Sequence, residues 1–178
     1  MDYTITASEP IFAGRSFKVR IETVRRSDGR AHRIEIVDHP GAITLVPVDA
    51  EGRLHFVRQY RHSTLEVMLE LPAGTLDPEE DPVDCARREC REEIGMAPQT
   101  LERLGGFFLA PGYSTEYLHI YLATQLTSAP LAPDEDEDLR VERLTLGQAE
   151  ALARSGELHD AKSLAALYLY RLHTTQKG

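Results

Sequence analysis

Glu89, Glu92 and Glu93 crowd into one short stretch, "GTLDPEEDPVDCARRECREEIGM", residues 74–96, with Arg87, Arg88 and Arg91 beside them. At about 100° per residue on a helix, these carboxylates fall within an arc of roughly 100°. Like charges three and four residues apart cost about a few tenths of a kcal/mol per pair. Gathering them is therefore mildly unfavourable without a counter-charge. A divalent cation supplies one. Magnesium takes oxygen ligands and keeps several waters, which leaves places for phosphate oxygens. The alternative is a solvated helix face neutralised by the neighbouring arginines.

A helix must present this face, and its ends are written in the sequence. Asp81 can cap it, Pro82 suits the first helical position and Asp84 adds charge near the positive end of the dipole. Gly95 supplies the stop. Val83, Cys90 and Ile94 share another face and can bury. Residues 16–24 and 32–38 alternate apolar and polar and predict antiparallel strands around the turn "RSDG". Residues 42–49 and 54–60 are more continuously apolar, as in strands covered on both faces. "EVMLELPAG" brings a further short strand into the acidic stretch. After it, residues 101–110, 116–126 and 139–146 predict strands, and 147–156 and 161–173 predict helices. Ala161, Leu164, Ala165, Tyr168 and Leu172 are expected to form the apolar side of the last helix. The fold class expected is α/β or α+β with a mixed sheet. Residues 1–38 are expected to form a separate small antiparallel sheet, and 39–178 the main domain. A hairpin alone is marginal, so the first unit should pack on something, a second subunit being the natural partner.

The chain has 178 residues, a net charge of −9 and a pI near 5.3. That balance argues against non-specific nucleic-acid binding, which needs a basic surface. An anionic substrate would then need a local arginine or a metal. Cys85 and Cys90 are the only cysteines. Their spacing suits neither a disulfide within one helix nor a zinc knuckle, and they read as reduced core residues of a cytoplasmic protein. The N-terminus has no apolar signal core and no run of about 18 apolar residues occurs, so no membrane partner is expected. His62, His119 and His159 are isolated and are assigned no chemistry.

Gly74, then Glu80, then Arg88-Glu89-Cys90-Arg91-Glu92-Glu93-Ile94-Gly95-Met96 reproduces the spacing G-x5-E-x7-R-E-U-x-E-E-x-G-U, where U is bulky and apolar. This resembles the Nudix box, and all of its fixed positions match; Cys90 is smaller than the usual aliphatic. The resemblance to Nudix hydrolases extends over most of the chain. It implies an α/β/α sandwich with a mixed sheet and a pyrophosphohydrolase acting on a nucleoside diphosphate linked to another group. It implies magnesium as cofactor, with manganese as a substitute. Glu89 and Glu93 would be metal ligands, with Glu92 assisting and the Ala73 carbonyl as backbone ligand. Gly74, Glu80 and Arg88 would support loop and helix.

Within the family, "EIVDHPGAITLVPV", "VRQYR", "LELPAG" and "APGYSTE" look like the ADP-ribose pyrophosphatase group, with Pro111 at its marker position. Tyr113 stands where dinucleoside polyphosphate hydrolases carry a tyrosine. The stretch "DEDEDLRVERL" (134–144) lies where the ADP-ribose group has a mobile acidic loop, the alternative being a merely solvated acidic loop; by similarity Glu135 is the candidate general base and Glu137 an added metal ligand. A calcium loop on Asp134, Asp136 and Asp138 is disfavoured by Leu139, which stands where glycine is required. Arg61 is a candidate phosphate contact, with Glu70 supporting it or meeting the terminal ribose. Arg33 and Glu35 are candidate nucleotide contacts, although an exposed sheet face or surface ion pair would use the same residue types. The reaction implied is hydrolysis of a nucleoside diphosphate sugar, ADP-ribose foremost, to AMP and ribose 5-phosphate, in a homodimer. The alternatives are another nucleoside diphosphate sugar, a dinucleoside polyphosphate, or a non-catalytic ligand-binding module, which would ordinarily have lost box carboxylates.

Overall fold

The computed structural model describes residues 3–132 and 138–176. The first three strands, β1 (Tyr3–Ala13), β2 (Lys18–Arg26) and β3 (Ala31–Asp38), form an antiparallel sheet of their own in that order. β2 and β3 are the predicted alternating strands. β1 was not predicted. Every one of its residues is exposed, although Tyr3, Ile5 and Ala7 alternate with Thr4, Thr6 and Ser8. Pro10 sits inside it, between register shifts at Ile5/Ala7 and Pro10/Phe12. An edge strand tolerates both, because the missing N–H has no ladder partner on the open side.

The rest of the described chain runs β4 (Ala42–Pro47), β5 (Leu54–Arg61), β6 (Glu66–Glu70), β7 (Ala73–Thr75), α1 (Pro82–Ile94), β8 (Met96–Phe108), β9 (Tyr117–Ser128), β10 (Leu139–Leu144), α2 (Leu146–Ser155) and α3 (Ala161–Gln176). One sheet has the order β7-β4-β9-β8, with β4 and β9 parallel and the other neighbours antiparallel. The other is antiparallel, β10-β5-β6. β8 begins earlier than the predicted 101. Pro98 disguised its first residues, yet Pro98 pairs with Leu126 at the sheet's edge, where proline is tolerated.

Two apolar cores lie on opposite faces of the sheets. Ile43 and Leu45 of β4 pack with Cys85, Ala86, Cys90 and Ile94 of α1. Ala42 and Val46 of the same strand face Leu118, Ile120, Ala166 and Leu167 on the α3 side. The alternation makes an α/β/α sandwich and accounts for the continuous apolar runs in β4 and β5. Fully burying a Leu, Ile or Phe is worth about 1.5–3 kcal/mol. That far exceeds the few tenths lost per like-charge pair on the acidic face of α1, so the core can hold those carboxylates together.

The predicted apolar side of α3 is corrected. Leu164, Tyr168 and Leu172 are exposed, while Ser163, Ala166 and Leu167 are buried. The helix is apolar nearly all round, so periodicity does not set its rotation. Bonds at its first turn do. Asp160 Oδ2 accepts the Ser163 N–H at 3.1 Å, and Ser163 Oγ accepts the Leu71 N–H at 2.7 Å. Among the described residues no helix is long and apolar enough to cross a membrane.

Candidate active site

The acidic face of α1 is positioned from both ends. Asp81 caps the helix through the Val83 N–H at 2.8 Å, Pro82 opens it and Gly95 closes it at φ 70°. The β7 strand runs against this face. A Cβ on Gly74 would lie 1.8 Å from Glu89 Oε1, so only glycine lets the backbone pass there. Glu93 Oε2 accepts the Ala73 N–H at 3.1 Å. Glu89 and Glu93 are 8% and 5% exposed. This is not a solvated helix face.

The neighbouring arginines do different jobs. Arg87 donates to the Pro98 carbonyl and Arg91 to the Ala129 carbonyl, each at 3.0 Å. Arg88 bonds the carboxylates. Its Nε and Nη2 grip Glu80 at 2.9 Å each, and its Nη1 reaches Glu89 at 2.6 Å and Glu92 at 3.0 Å. The bond from Arg88 holds the Glu80 carboxyl at about 2, well below the usual range, against the opposing push of burial. Both thiols are free, and burial raises them, Cys90 to about 12. They are protonated core groups with no part in nucleophilic chemistry.

Glu89, Glu92, Ala73 and Gly74 line a cleft of 1360 Å³. In chemistry these acidic oxygens fit a hard divalent cation. Among the described residues no three His, Cys, Asp or Glu side chains already surround one point, and Arg88 Nη1 stands between Glu89 and Glu92.

In the same cleft, Arg61 at the end of β5 meets Glu70 at the end of β6 as a fork: Nε to Oε1 and Nη2 to Oε2, each 2.8 Å. Lys162 Nζ also binds Glu70 Oε2, and reaches Asp160 Oδ2 at 2.9 Å. Burial alone would push Glu70 up; the Arg61 bonds and the Lys162 charge outweigh it and hold the carboxyl at about 2. Glu70 is thus bound to Arg61 through both of its oxygens.

Other expected residues lie elsewhere. Arg33 and Glu35 are exposed on β3, away from this chain's cleft, and Arg33 pairs with Glu9 at 3.4 Å. Pro111 is exposed in the turn after β8. That turn is stitched to β3 by Val37 N–H to the Tyr113 carbonyl at 2.8 Å and Thr115 N–H to the Val37 carbonyl at 3.0 Å. Glu135 and Glu137 lie outside the described residues. The cleft also takes in residues to which sequence reasoning gave no role: Arg15 from the β1–β2 turn, Lys18 at the start of β2, Glu116 before β9, and Asp160 and Lys162. Only Asp160 left a local sign, a capping residue ahead of an apolar helix.

Residues 38–167 match a family model described as NUDIX domain. The chain is 36% identical over 168 residues to the ADP-ribose pyrophosphatase of Bacillus subtilis (strain 168), covering 93% of this chain and 91% of that one. It is 34% identical over 172 residues to the methanol dehydrogenase activator of Bacillus methanolicus, covering 96% and 93%. A crystal structure of an ADP compounds hydrolase superimposes with a TM-score of 0.89 at 27% identity, covering 100% of this chain and 97% of that one.

Proposed function

The chain belongs to the Nudix family of pyrophosphohydrolases, and from that premise we propose that it hydrolyses the diphosphate of ADP-ribose to AMP and ribose 5-phosphate. The observation that carries this reading is that one cleft is lined both by α1 carboxylates against β7 and by the Arg61–Glu70 fork. The relative at 36% identity supports ADP-ribose as the first substrate to try.

Magnesium, or manganese in its place, would be held by Glu89, Glu92, Glu93, the Ala73 carbonyl and Glu137. When bound it neutralises charge developing on the diphosphate. The chain's own groups do the rest. Arg61 offers a guanidinium edge to a phosphate while Glu70 takes its other edge. Arg88 and Glu80 hold the box helix and its loop in register. Glu135 takes the proton of the attacking water, and a loop can bring such a base in as the site closes.

The domain division and the dimer belong to the same reading. Residues 1–38 would form the unit that joins two copies, with Arg33 and Glu35 reaching the partner's nucleotide site. Exposed Ile5, Ile11 and Phe12 on β1 support an apolar contact there. The reduced, buried cysteines support a cytoplasmic setting.

A panel of ADP-ribose, GDP-mannose, UDP-glucose and a dinucleoside polyphosphate, with product analysis and metal titration, tests the reading. Magnesium-dependent AMP release from ADP-ribose at enzyme-like rates is expected. Faster release from another compound moves the substrate; none from any compound points to a binding module. Light scattering should give a dimer, and an active monomer would remove the partner's role. Glu135→Gln should lower turnover by roughly 10²–10⁴-fold with no rescue by excess magnesium. Glu137→Gln should show a raised magnesium requirement that excess metal partly restores; the reverse pattern exchanges the two roles.

A further inference from the structure

We infer that Lys162 is a positioning residue of the active site: acting through Glu70, it holds Arg61 in one orientation toward the diphosphate. The inference rests on the proposed contact between Arg61 and a phosphate.

Lys162 lies in the first turn of α3, 92 positions along the chain from Glu70. A lysine there opposes the helix dipole, whose positive end is at the N-terminus. Capping does not need it, because Asp160 already accepts from the Ser163 N–H at 3.1 Å and the Ser163 hydroxyl at 2.5 Å. Lysine side chains are seldom buried unless paired, yet this one is 14% exposed and is held by two carboxylates. Its placement is better explained by what it binds than by the helix it belongs to.

What it binds is Glu70 Oε2, the same oxygen that accepts Arg61 Nη2. Glu70 is 2% exposed, so its carboxylate has little water to turn toward. With Arg61 alone, the carboxylate and guanidinium could rotate and slide as a pair. A second cation on Oε2, anchored by Asp160, removes that freedom and fixes the plane of the fork. Arg61 Nε and Nη2 are committed to Glu70, and Nη1 meets no acceptor among the described residues. Arg61 and Lys162 both line the cleft. The lysine thus sets the direction of the remaining donor edge. The next residue, Ser163, ties the same helical turn to the chain entering the box, its Oγ accepting the Leu71 N–H two residues before Ala73.

The test uses the full chain and the variants Lys162→Met, Lys162→Arg, Arg61→Ala and the double change Arg61→Ala with Lys162→Met. Lys162→Met should lower kcat/KM for ADP-ribose roughly tenfold, mainly through KM, the scale of disordering one charged hydrogen bond. Lys162→Arg should restore most of it. In the Arg61→Ala background the lysine change should have no further effect. An equal loss in both backgrounds would overturn the inference, since Lys162 would then act without Arg61. A second arm needs no substrate. The Arg61 Nε–Hε resonance, identified by its loss in Arg61→Ala, should be sharp and protected from exchange in the parent and in Lys162→Arg, and broadened in Lys162→Met. An unchanged resonance in Lys162→Met also overturns it. A parent chain that cleaves no ADP-ribose counts against the proposed function, and the resonance arm still decides the positioning. If Lys162→Met does not fold, Lys162→Gln takes its place with the same outcomes.

Discussion

Two arginine–glutamate forks face one cleft and are built from the same atoms. Arg88 grips Glu80 through Nε and Nη2 at 2.9 Å each, and Arg61 grips Glu70 through Nε and Nη2 at 2.8 Å each. Their surroundings separate them. Glu80 lies just ahead of α1 with 15% of its side chain exposed, and Arg88 spends its third nitrogen on Glu89 and Glu92. Glu70 is buried at the end of β6, and its second cation, Lys162, arrives from α3. The first fork gathers acidic groups of one segment. The second joins two strands and a helix and leaves a cationic edge toward the cleft. The same bidentate pair therefore serves as a clamp on negative charge in one place and as a mount for positive charge in the other.

The largest effect should come from Glu93. Glu93 accepts the Ala73 N–H at 3.1 Å, and glutamine can keep that acceptor while losing the charge. Glu93→Gln should lower turnover by about 10²–10³-fold, the scale of losing one group aimed at the reacting centre. The melting temperature without metal should hold or rise slightly, because a like-charge pair on α1 is relieved. Near-normal turnover at saturating magnesium would remove Glu93 from the metal site.

A smaller effect separates the forks themselves. Lysine keeps the charge and loses the bidentate geometry. Arg88→Lys should cost about 1–2 kcal/mol of stability, discounted for the partial exposure of the pair. It should cost about 10–100-fold in kcat/KM through misplaced box carboxylates. Arg61→Lys should leave stability closer to the parent, because Lys162 remains on Glu70, and should raise KM about tenfold. Urea melts beside kcat and KM check this. Equal stability losses with KM unmoved would erase the distinction between clamp and mount.

The two forks also differ in how far they could be read from the chain. The box was legible because its parts lie within residues 74–96. Helical angle, a capping Asp81 and a closing Gly95 set its geometry locally. Arg61 and Glu70 stood nine apart on neighbouring strands and could be suspected of pairing. Lys162 could not, since only the packing of α3 brings it to Glu70. The rotation of α3 was misread for a related reason: with apolar residues on nearly every side, the helix is oriented by polar bonds at Asp160, Lys162 and Ser163. In β1 the alternation of Tyr3, Ile5 and Ala7 breaks down at Glu9 and Pro10, and proline inside a run argues against a strand unless it lies at an edge. Arg33 and Glu35 lie exposed on β3, one of the alternating strands, and their chemistry depends on what meets that surface.

The smallest effect is in the acid response, where the forks should part under salt. Both carboxyls are held near 2, down from 4.5. Their contribution is therefore fully present above about pH 4.5 and lost as the pH falls through about 2. In that window each group should add up to about 1.4 kcal/mol per pH unit to the slope of stability. Glu70→Gln and Glu80→Gln should each flatten the slope, measured by urea midpoints from about pH 5 to about pH 2. The causes differ. At Glu80 the leading one is the hydrogen bond from a single arginine, on a carboxylate that water and ions can reach. At Glu70 two cations overcome a burial penalty, on a carboxylate 2% exposed with a lysine 14% exposed beside it. At about 1 M salt the screening length is only about 3 Å, and exposed pairs weaken more than buried ones. The step removed by Glu80→Gln should therefore shrink by about half in such salt, while the step removed by Glu70→Gln stays nearly constant. Equal shrinkage would mean that Glu70 is as open to solvent as Glu80. The buried mount for Arg61 would then have to be replaced by a second surface clamp.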